Sequence, residues 1–445
     1  MGMTRKDFLT TATAGALALG AHDWLSAAAS KKPNIILILS DDHGLDGVGC
    51  YGSDKYKDLT PNIDALARTG MRFETCYSMP LCGPSRGVIN TGRYGFRTGG
   101  LSNDSWRDDD CIGPKSKDEY PIARMLKQAG YATCCSGKWR QVGETPGDWG
   151  FDEWATDETA GGWHWKDSYI KNGKTVELKE ESYIPDIYHD FAVDFMRRSR
   201  NGPCYLYYPT HLVHGPIQKT PDSKAATTDY YADNIAYLDT LVGKIIAEVD
   251  KLGIRENTII LFTGDNGTAK QSGTIYGKQI NGSKGSMLEG GARVPLIVNW
   301  KGTTRASVCK DMADFSDFHA TFAELAGASL PKEKIFDGRS FAPQLRGQTG
   351  SPRDWIFVQL GSTWYVRERG YKLNEAGALF DMTNAPFEEK LIAADAKDAG
   401  SMAARERLSA VLKKLNPAGG KIAPAGSGKP KKKKKKKADT NGNNE

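Results

Sequence analysis

The chain has 445 residues and a formal net charge of +6, from 60 Lys+Arg and 54 Asp+Glu. The charge sits at one end: from Pro417 to Glu445 nine lysines face only Asp439 and Glu445, a local +7, so the body is close to −1. A near-neutral globule with a lysine tail gives no grounds for a nucleic-acid-binding core, and 39% apolar residues with ten Trp exclude a disordered chain.

Residues 1–30 read as an export signal, which predicts a periplasmic or secreted protein. Thr4-Arg5-Lys6-Asp7-Phe8-Leu9 resembles a twin-arginine signal with Lys in place of the second Arg. A mildly apolar stretch from Thr13 to Leu19 follows, and Ala27-Ala28-Ala29 supplies small residues for cleavage near Ser30. No run of about 20 apolar residues marks a membrane span. Asn34 to Leu39 is a short β-branched run, the pattern of a buried parallel strand. Thr60-Pro61-Asn62 opens a helix, with Thr60 as N-cap and Pro61 at its first position. Ile122 to Gln128 reads as a helix, Tyr131 to Cys135 as a strand, Tyr205 to Tyr208 as another, and Tyr230 to Leu252 as a long amphipathic helix. Thr258 to Phe262 and Val294 to Trp300 read as buried strands, and Asp314 to Leu325 as a helix stopped by Gly327.

This alternation predicts an α/β fold with a mostly parallel central sheet over 31–340. Shorter strand-like pieces (Trp355 to Leu360, Trp364 to Arg367) and a helix from Met402 to Leu415 predict a small C-terminal α+β subdomain over 341–416. Residues 417–445 form a Lys-rich tail that cannot bury enough surface to fold. Its role is either a plain solvated end or loose attachment to polyanions.

Chemistry in such sheets sits beyond the carboxyl ends of the strands. One strand end reads Ser40-Asp41-Asp42-His43 and another Thr263-Gly264-Asp265-Asn266-Gly267. Adjacent carboxylates repel unless a cation lies between them, and these hard oxygen donors suit Ca²⁺ or Mg²⁺ over Zn²⁺. Asp and Asn also cap turns and helices, so either pair alone reads equally as a cap. Cys82-Gly83-Pro84-Ser85-Arg86 precedes a helix-like stretch, Val88 to Thr91, where a helix N-terminus and an Arg both favour an anion. Eight cysteines do not by themselves imply disulfides; Cys134 and Cys135 are predicted to point to opposite faces of a strand.

Together these segments resemble the type I, formylglycine-dependent sulfatases of the alkaline-phosphatase-like superfamily. Cys82-Gly83-Pro84-Ser85-Arg86 is similar to their signature, and Asp41-Asp42, Thr60 to Ala67, Gly137-Lys138-Trp139, Val213-His214-Gly215-Pro216, Gly264-Asp265-Asn266-Gly267, Lys284 to Pro295 and Leu379 to Met382 resemble further family segments in order. The resemblance implies a three-layer sandwich and conversion of Cys82 to formylglycine (3-oxoalanine) by a formylglycine-generating maturation enzyme. It implies that the aldehyde's hydrate attacks a sulfate ester. It implies one Ca²⁺ on Asp41, Asp42, Cys82, Asp265 and Asn266, with Arg86 steadying the hydrate. Lys138 and Lys284 would neutralise sulfate charge, and His214 would protonate the leaving alcohol.

Such roles agree with the physics. Charge developing on sulfate oxygens needs preorganised cations, and alkoxide protonation needs a group titrating near neutrality. Lys284 in a Gly/Ser loop reads otherwise as solvated, and Lys138 beside Trp139 as a cation–π pair. One position departs from the family: Arg140 stands where a histidine is usual, and arginine stays protonated. Either His211 or His43 substitutes for it, or Arg140 only binds charge; Arg140 and His211 are candidate substrate contacts.

The expected substrate is a sulfated small molecule or glycan. Export and an aromatic-rich stretch, with Trp149, Trp154, Trp163 and Trp165, favour a carbohydrate, although the stretch reads equally as packed loop. A phosphomonoester, phosphodiester or phosphonate hydrolase on the same scaffold is the alternative activity. A sulfated-glycan-binding protein with a weak site is the alternative class.

Overall fold

The structure is a computed structural model that describes residues 32–106, 112–139, 142–157, 164–269 and 273–422. The segment expected to direct export, Arg140, Cys111, Trp163 and the lysines from Lys429 onward lie outside the described residues.

Strand β1 (Asn34–Ser40) is buried along its whole length and so needs cover on both faces. Ile35, Leu37 and Leu39 enter one core and Ile36 and Ile38 the other. Further strands are β2 (Met71–Tyr77), β3 (Ala132–Ser136), β4 (Glu153–Thr156), β5 (Trp165–Lys171), β6 (Lys174–Tyr183), β7 (Cys204–Pro209), β8 (Thr258–Gly264), β9 (Leu296–Trp300) and β10 (Ser307–Asp314). With the two-residue strand Arg293–Val294 they make one 11-stranded sheet. Parallel pairing joins β4, β3, β7, β1 and β8. Strand β9 runs antiparallel between β8 and β2, and β5 and β6 form a hairpin at the far edge.

Seven helices of seven residues or more are described: α1 (Pro61–Thr69), α2 (Cys82–Thr91), α3 (Ile122–Gln128), α4 (Ile184–Ser199), α5 (Tyr230–Lys251), α6 (Asp317–Ala326) and α7 (Ala399–Leu415). Helices α2, α3 and α6 send Val88, Leu126 and Phe318 into the core of one sheet face. Helices α1, α4 and α5 send Leu66, Phe195 and Leu241 into the other. The result is a three-layer α/β/α sandwich, as expected. Strands β11 (Ile356–Leu360), β12 (Thr363–Arg367), β13 (Tyr371–Asn374), β14 (Leu379–Asp381) and β15 (Lys390–Ile392) form a separate antiparallel sheet. Ala404 and Leu408 of α7 pack on Val366, Leu373 and Leu379 of that sheet.

Several expected elements shift. Thr60 does not cap α1 with its side chain; its Oγ1 accepts the Gly49 N–H (2.9 Å) instead. The carboxylate of Asp239 on α5 takes the first helical N–H groups, from Asn62 (3.1 Å) and Ile63 (2.9 Å). Helix α2 reaches back to Cys82, so Gly83 and Pro84 lie inside its first turn, where proline's missing N–H costs nothing. Residue Asp314 ends β10 and does not start α6. Its Oδ1 accepts the Ser316 N–H (2.9 Å), while its own N–H donates to Asp317 (2.8 Å), and this turn delays the helix. Pro295 splits the stretch 294–300 into two strands.

Cys134 faces one core and Cys135 the other, as predicted, and every described cysteine is free. Of the described tryptophans in the aromatic stretch, Trp149 is buried, while Trp154 and Trp165 are partly buried. Trp149 is 0% exposed, with its ring edge-on to Trp139 at 5.9 Å, and Trp165 donates its Nε1–H to the Lys219 carbonyl (2.9 Å). Trp149→Ala should therefore cost about 3–5 kcal/mol of stability, read from the denaturant midpoint; a loss below 1 kcal/mol would show that Trp149 is not a core residue.

Candidate active site

Four loops meet at the carboxyl ends of β1, β3, β7 and β8, and backbone hydrogen bonds lash them together. Asp265 N–H donates to the Ser40 carbonyl (2.8 Å), Asp41 N–H to Leu212 (2.8 Å), Val213 N–H to Asp41 (2.9 Å) and Lys138 N–H to Pro209 (2.6 Å). Gly137 makes the last approach possible: its φ is +131°, and a Cβ there would lie 2.1 Å from the Pro209 carbonyl oxygen. Asp42 itself sits at φ 55°, a left-handed conformation that Asp tolerates better than most residues.

The four loops gather almost every described residue that the sequence marked. Asp41 and Asp265 are 0% exposed and Asp42 only 4%. Lys138 Nζ contacts Asp41 Oδ2, and Lys284 Nζ lies 2.5 Å from Asp42 Oδ1. Arg86, also 0% exposed, forks onto Asp265 through Nε (3.1 Å) and Nη2 (2.8 Å), and its Nη1 reaches the Lys138 carbonyl (2.9 Å). Cys82 Sγ, at the first residue of α2, is 3.4 Å from Asp41 Oδ1, 3.8 Å from Asp42 Oδ1 and 3.7 Å from Lys138 Nζ. His214 Nε2 is 3.6 Å from Asp42 Oδ2, and its Nδ1 faces the Gly215 carbonyl. A carbonyl only accepts, so Nδ1 carries the hydrogen and Nε2 is the ring atom turned to the site.

Three carboxylates and three fixed cations thus meet at one buried point. Burial pushes Asp41 upward, but Lys138, His214, Arg86 and Lys284 outweigh it and hold Asp41 well below the usual carboxylate range. Asp265 is pushed up to about 7, by burial and then by the neighbouring Asp41 charge. Two such close carboxylates share a proton or a cation. Burial raises the Cys82 thiol well above its ordinary value, with Asp265 adding to the effect. An unmodified Cys82 is therefore a thiol and a poor nucleophile.

The donor set fits a hard divalent cation. Ligand atoms of Asp41, Asp42, Cys82 and His214 lie within 4.8 Å of one another. Asn266 Oδ1 is buried with no hydrogen-bond partner among the described residues, while its Nδ2 donates to Asp42 Oδ1 (2.9 Å). An orphaned amide oxygen beside two carboxylates has the chemistry of a Ca²⁺ or Mg²⁺ ligand. Asp265 is also in place, but both its oxygens already accept protein hydrogen bonds, Oδ1 from Asp42 N–H (3.0 Å) and Oδ2 from Arg86.

Three readings left open by the sequence meet specific contacts in the structure. His43 is not available as a substitute base: Nδ1 meets Ser40 Oγ (3.1 Å), Nε2 meets the Gly47 carbonyl (3.0 Å), and burial pulls its pKa down to about 4. His211 is buried, with Nε2 3.2 Å from Asp157 and its ring stacked on Tyr188, and its carbonyl accepts the His214 N–H (2.9 Å). Lys138 pairs with Asp41, whereas Trp139 packs against Trp149 and Phe151, which removes the cation–π reading of Lys138 beside Trp139. Sequence reasoning passed over His164. It is 1% exposed, neither ring nitrogen has a hydrogen-bond partner among the described residues, and burial with the nearby His211 and His214 pulls its pKa to about 3. A lone histidine between tryptophans carries no spacing signal that would have found it.

The family described as Sulfatase matches residues 33–328, well over half of the chain and the span that holds every one of these side chains. The chain belongs to the sulfatase family. This sulfatase is an enzyme, a sulfuric ester hydrolase, with the alkaline-phosphatase-like fold. It is 31% identical to N-acetylgalactosamine-6-sulfatase of Canis lupus familiaris, over 78% of this chain and 72% of that protein. It is 31% identical to arylsulfatase A of Homo sapiens, over 74% of this chain and 71% of that protein. It superposes at TM-score 0.72 and 28% identity on a solved structure described as Ps i-CgsB in complex with k-i-k-neocarrahexaose, covering 87% of this chain and 92% of that one.

Arg86 ties α2, the end of β8 and the Lys138 loop together. Arg86→Lys keeps the charge but cannot reach Asp265 and the Lys138 carbonyl at once. It is expected to lower kcat/KM on an aryl sulfate by about 10²-fold or more; activity within twofold of the wild type would show the fork to be dispensable.

Proposed function

We propose that this sulfatase is exported, is matured at Cys82 to formylglycine, binds one Ca²⁺, and hydrolyses sulfate esters of carbohydrates. The observation that carries the reading is the burial of Cys82 at the start of α2, among Asp41, Asp42, Lys138 and Lys284, with its thiol raised out of the nucleophilic range. Formylglycine at this position supplies the oxygen nucleophile that a protonated thiol cannot. Asp41, Asp42 and Asn266 Oδ1 would hold Ca²⁺, with Asp265 beside them, and the ion supplies Lewis-acid polarisation of a sulfate oxygen.

The remaining work falls to side chains. Arg86 clamps Asp265 and so sets the start of α2 against the metal loop. Lys138 and Lys284 each face a carboxylate that a divalent ion would also neutralise, which leaves their ammonium groups for sulfate oxygens. His214, with Nδ1–H fixed on the Gly215 carbonyl, holds its transferable proton at Nε2, where a leaving alcohol would receive it. Arg140 adds charge near Lys138 in sequence and binds substrate in place of the usual histidine.

The carbohydrate assignment draws on relatives named for a sugar sulfate and on the similar structure bound to k-i-k-neocarrahexaose. A formylglycine-generating enzyme of the host is the implied partner. No described helix is long and apolar enough to cross a membrane.

Protein from the native host should yield a Cys82 peptide whose mass corresponds to formylglycine, and should cleave an aryl sulfate faster than the matching aryl phosphate. Unmodified cysteine throughout, or faster phosphate hydrolysis, would overturn this reading. Exhaustive chelation should abolish sulfate release and added Ca²⁺ should restore it; full activity after chelation would remove the metal from the site.

A further inference from the structure

The loop that carries Lys284 has little order of its own. Asn281-Gly282-Ser283-Lys284-Gly285-Ser286 contains no helix or strand, yet Lys284 Nζ is held 2.5 Å from Asp42. A long side chain on a Gly/Ser loop loses much conformational freedom when placed this way, so something outside the loop must fix its backbone. The anchor is Glu289, five residues on. It is 0% exposed, in a single helical turn that closes the loop.

Its carboxylate is surrounded. Arg367 Nη1 on β12 of the C-terminal sheet lies 3.0 Å from both of its oxygens. Arg293 Nη1 lies 3.2 Å away, and the Tyr77 hydroxyl at the end of β2 donates to Oε1. A second acid completes the clamp. Glu389 accepts the Glu289 N–H (2.8 Å) and pairs with Lys372 of β13, whose Nζ also reaches the Met287 carbonyl (3.2 Å). The loop's two ends are tied in turn, with Gly290 N–H on the Asn281 carbonyl (2.7 Å) and Lys284 N–H on Thr268 (3.0 Å). Contact with the metal loop leaves no slack: Gly267 N–H donates to Gly291 (3.0 Å), and a Cβ on Gly267 would lie 1.7 Å from the Gly290 carbonyl oxygen.

We propose that Glu289 is a positioning residue that locks the Lys284 loop onto the C-terminal sheet through Arg367, so that this sheet sets where Lys284 meets the sulfate. The C-terminal sheet contributes none of the site side chains described above, and this gives it a part in the reaction. The proposal rests on the reading that Lys284 neutralises sulfate charge. A displacement near 1 Å at a charge-stabilising group costs about 10²-fold in rate, so a loosened loop is visible in kinetics.

The test is a double-variant cycle on the matured enzyme with an aryl sulfate, comparing wild type, Lys284→Ala, Glu289→Gln and the two combined, with melting temperatures alongside. Glu289→Gln is expected to lower kcat/KM by about tenfold or more, and the combined variant to be no slower than Lys284→Ala within twofold, because residues acting as one unit are not additive. If Glu289→Gln does not accumulate as folded protein, Arg367→Lys takes its place in the same cycle with the same expected non-additivity. A crippled Lys284→Ala with fully additive losses would overturn the positioning role alone, as would Glu289→Gln activity within twofold of wild type. A Lys284→Ala variant as active as wild type would overturn the role of Lys284 itself.

Discussion

Six charges buried at one point govern this molecule. Asp41, Asp42 and Asp265 meet Arg86, Lys138 and Lys284 where water barely reaches, and each ion has given up most of its hydration. Such a cluster is tolerable only when every charge has a partner at hydrogen-bonding distance. Asp265 is the weakest of these anions, pushed up to about 7 by burial and the Asp41 charge, so the cations at least balance the carboxylates. A body of almost zero net charge thus concentrates its cations at one point, through Arg86, Lys138 and Lys284.

The scaffold exists to hold that cluster. Parallel strands β3, β7, β1 and β8 end side by side, so short segments after each strand deliver one or two site side chains apiece. Backbone bonds between Asp265 and Ser40, Asp41 and Leu212, and Lys138 and Pro209 fix those segments against one another. Cys82 and Arg86 come instead from the start of helix α2, and Lys284 from a loop with no strand behind it. The Glu289–Arg367 pair ties that loop to the C-terminal sheet and supplies the rigidity that a strand end gives the others.

The buried strands were legible because β1 and β8 are apolar on both faces, and the long helix α5 because its apolar face recurs at helical spacing. The hairpin of β5 and β6 was not, because most of its side chains are half-buried or exposed and no apolar run marks it. Helix α4 carries the same apolar spacing as α5 over its 16 residues, with Ile184, Tyr188, Phe191, Ala192 and Phe195 buried. The capping of α1 was misread for a physical reason: Thr60 has the right chemistry, but the carboxylate of Asp239, distant in sequence, takes the N–H groups.

The sequence by itself determined the chemistry of the site: which carboxylates, which cations, which cysteine and which histidine stand in the ordered motifs, because hard-ligand and charge chemistry is written in residue type. The tertiary structure alone decided what those groups do to one another. Only there does Arg86 fork onto Asp265, Asn266 keep an orphaned oxygen, His43 turn out to be engaged at both nitrogens, and His164 and Glu289 come close to the reaction centre or its supports. The reason is distance. Pairing energies depend on a few ångströms between residues that lie more than two hundred positions apart, such as Asp42 and Asn266, and no local pattern encodes that separation.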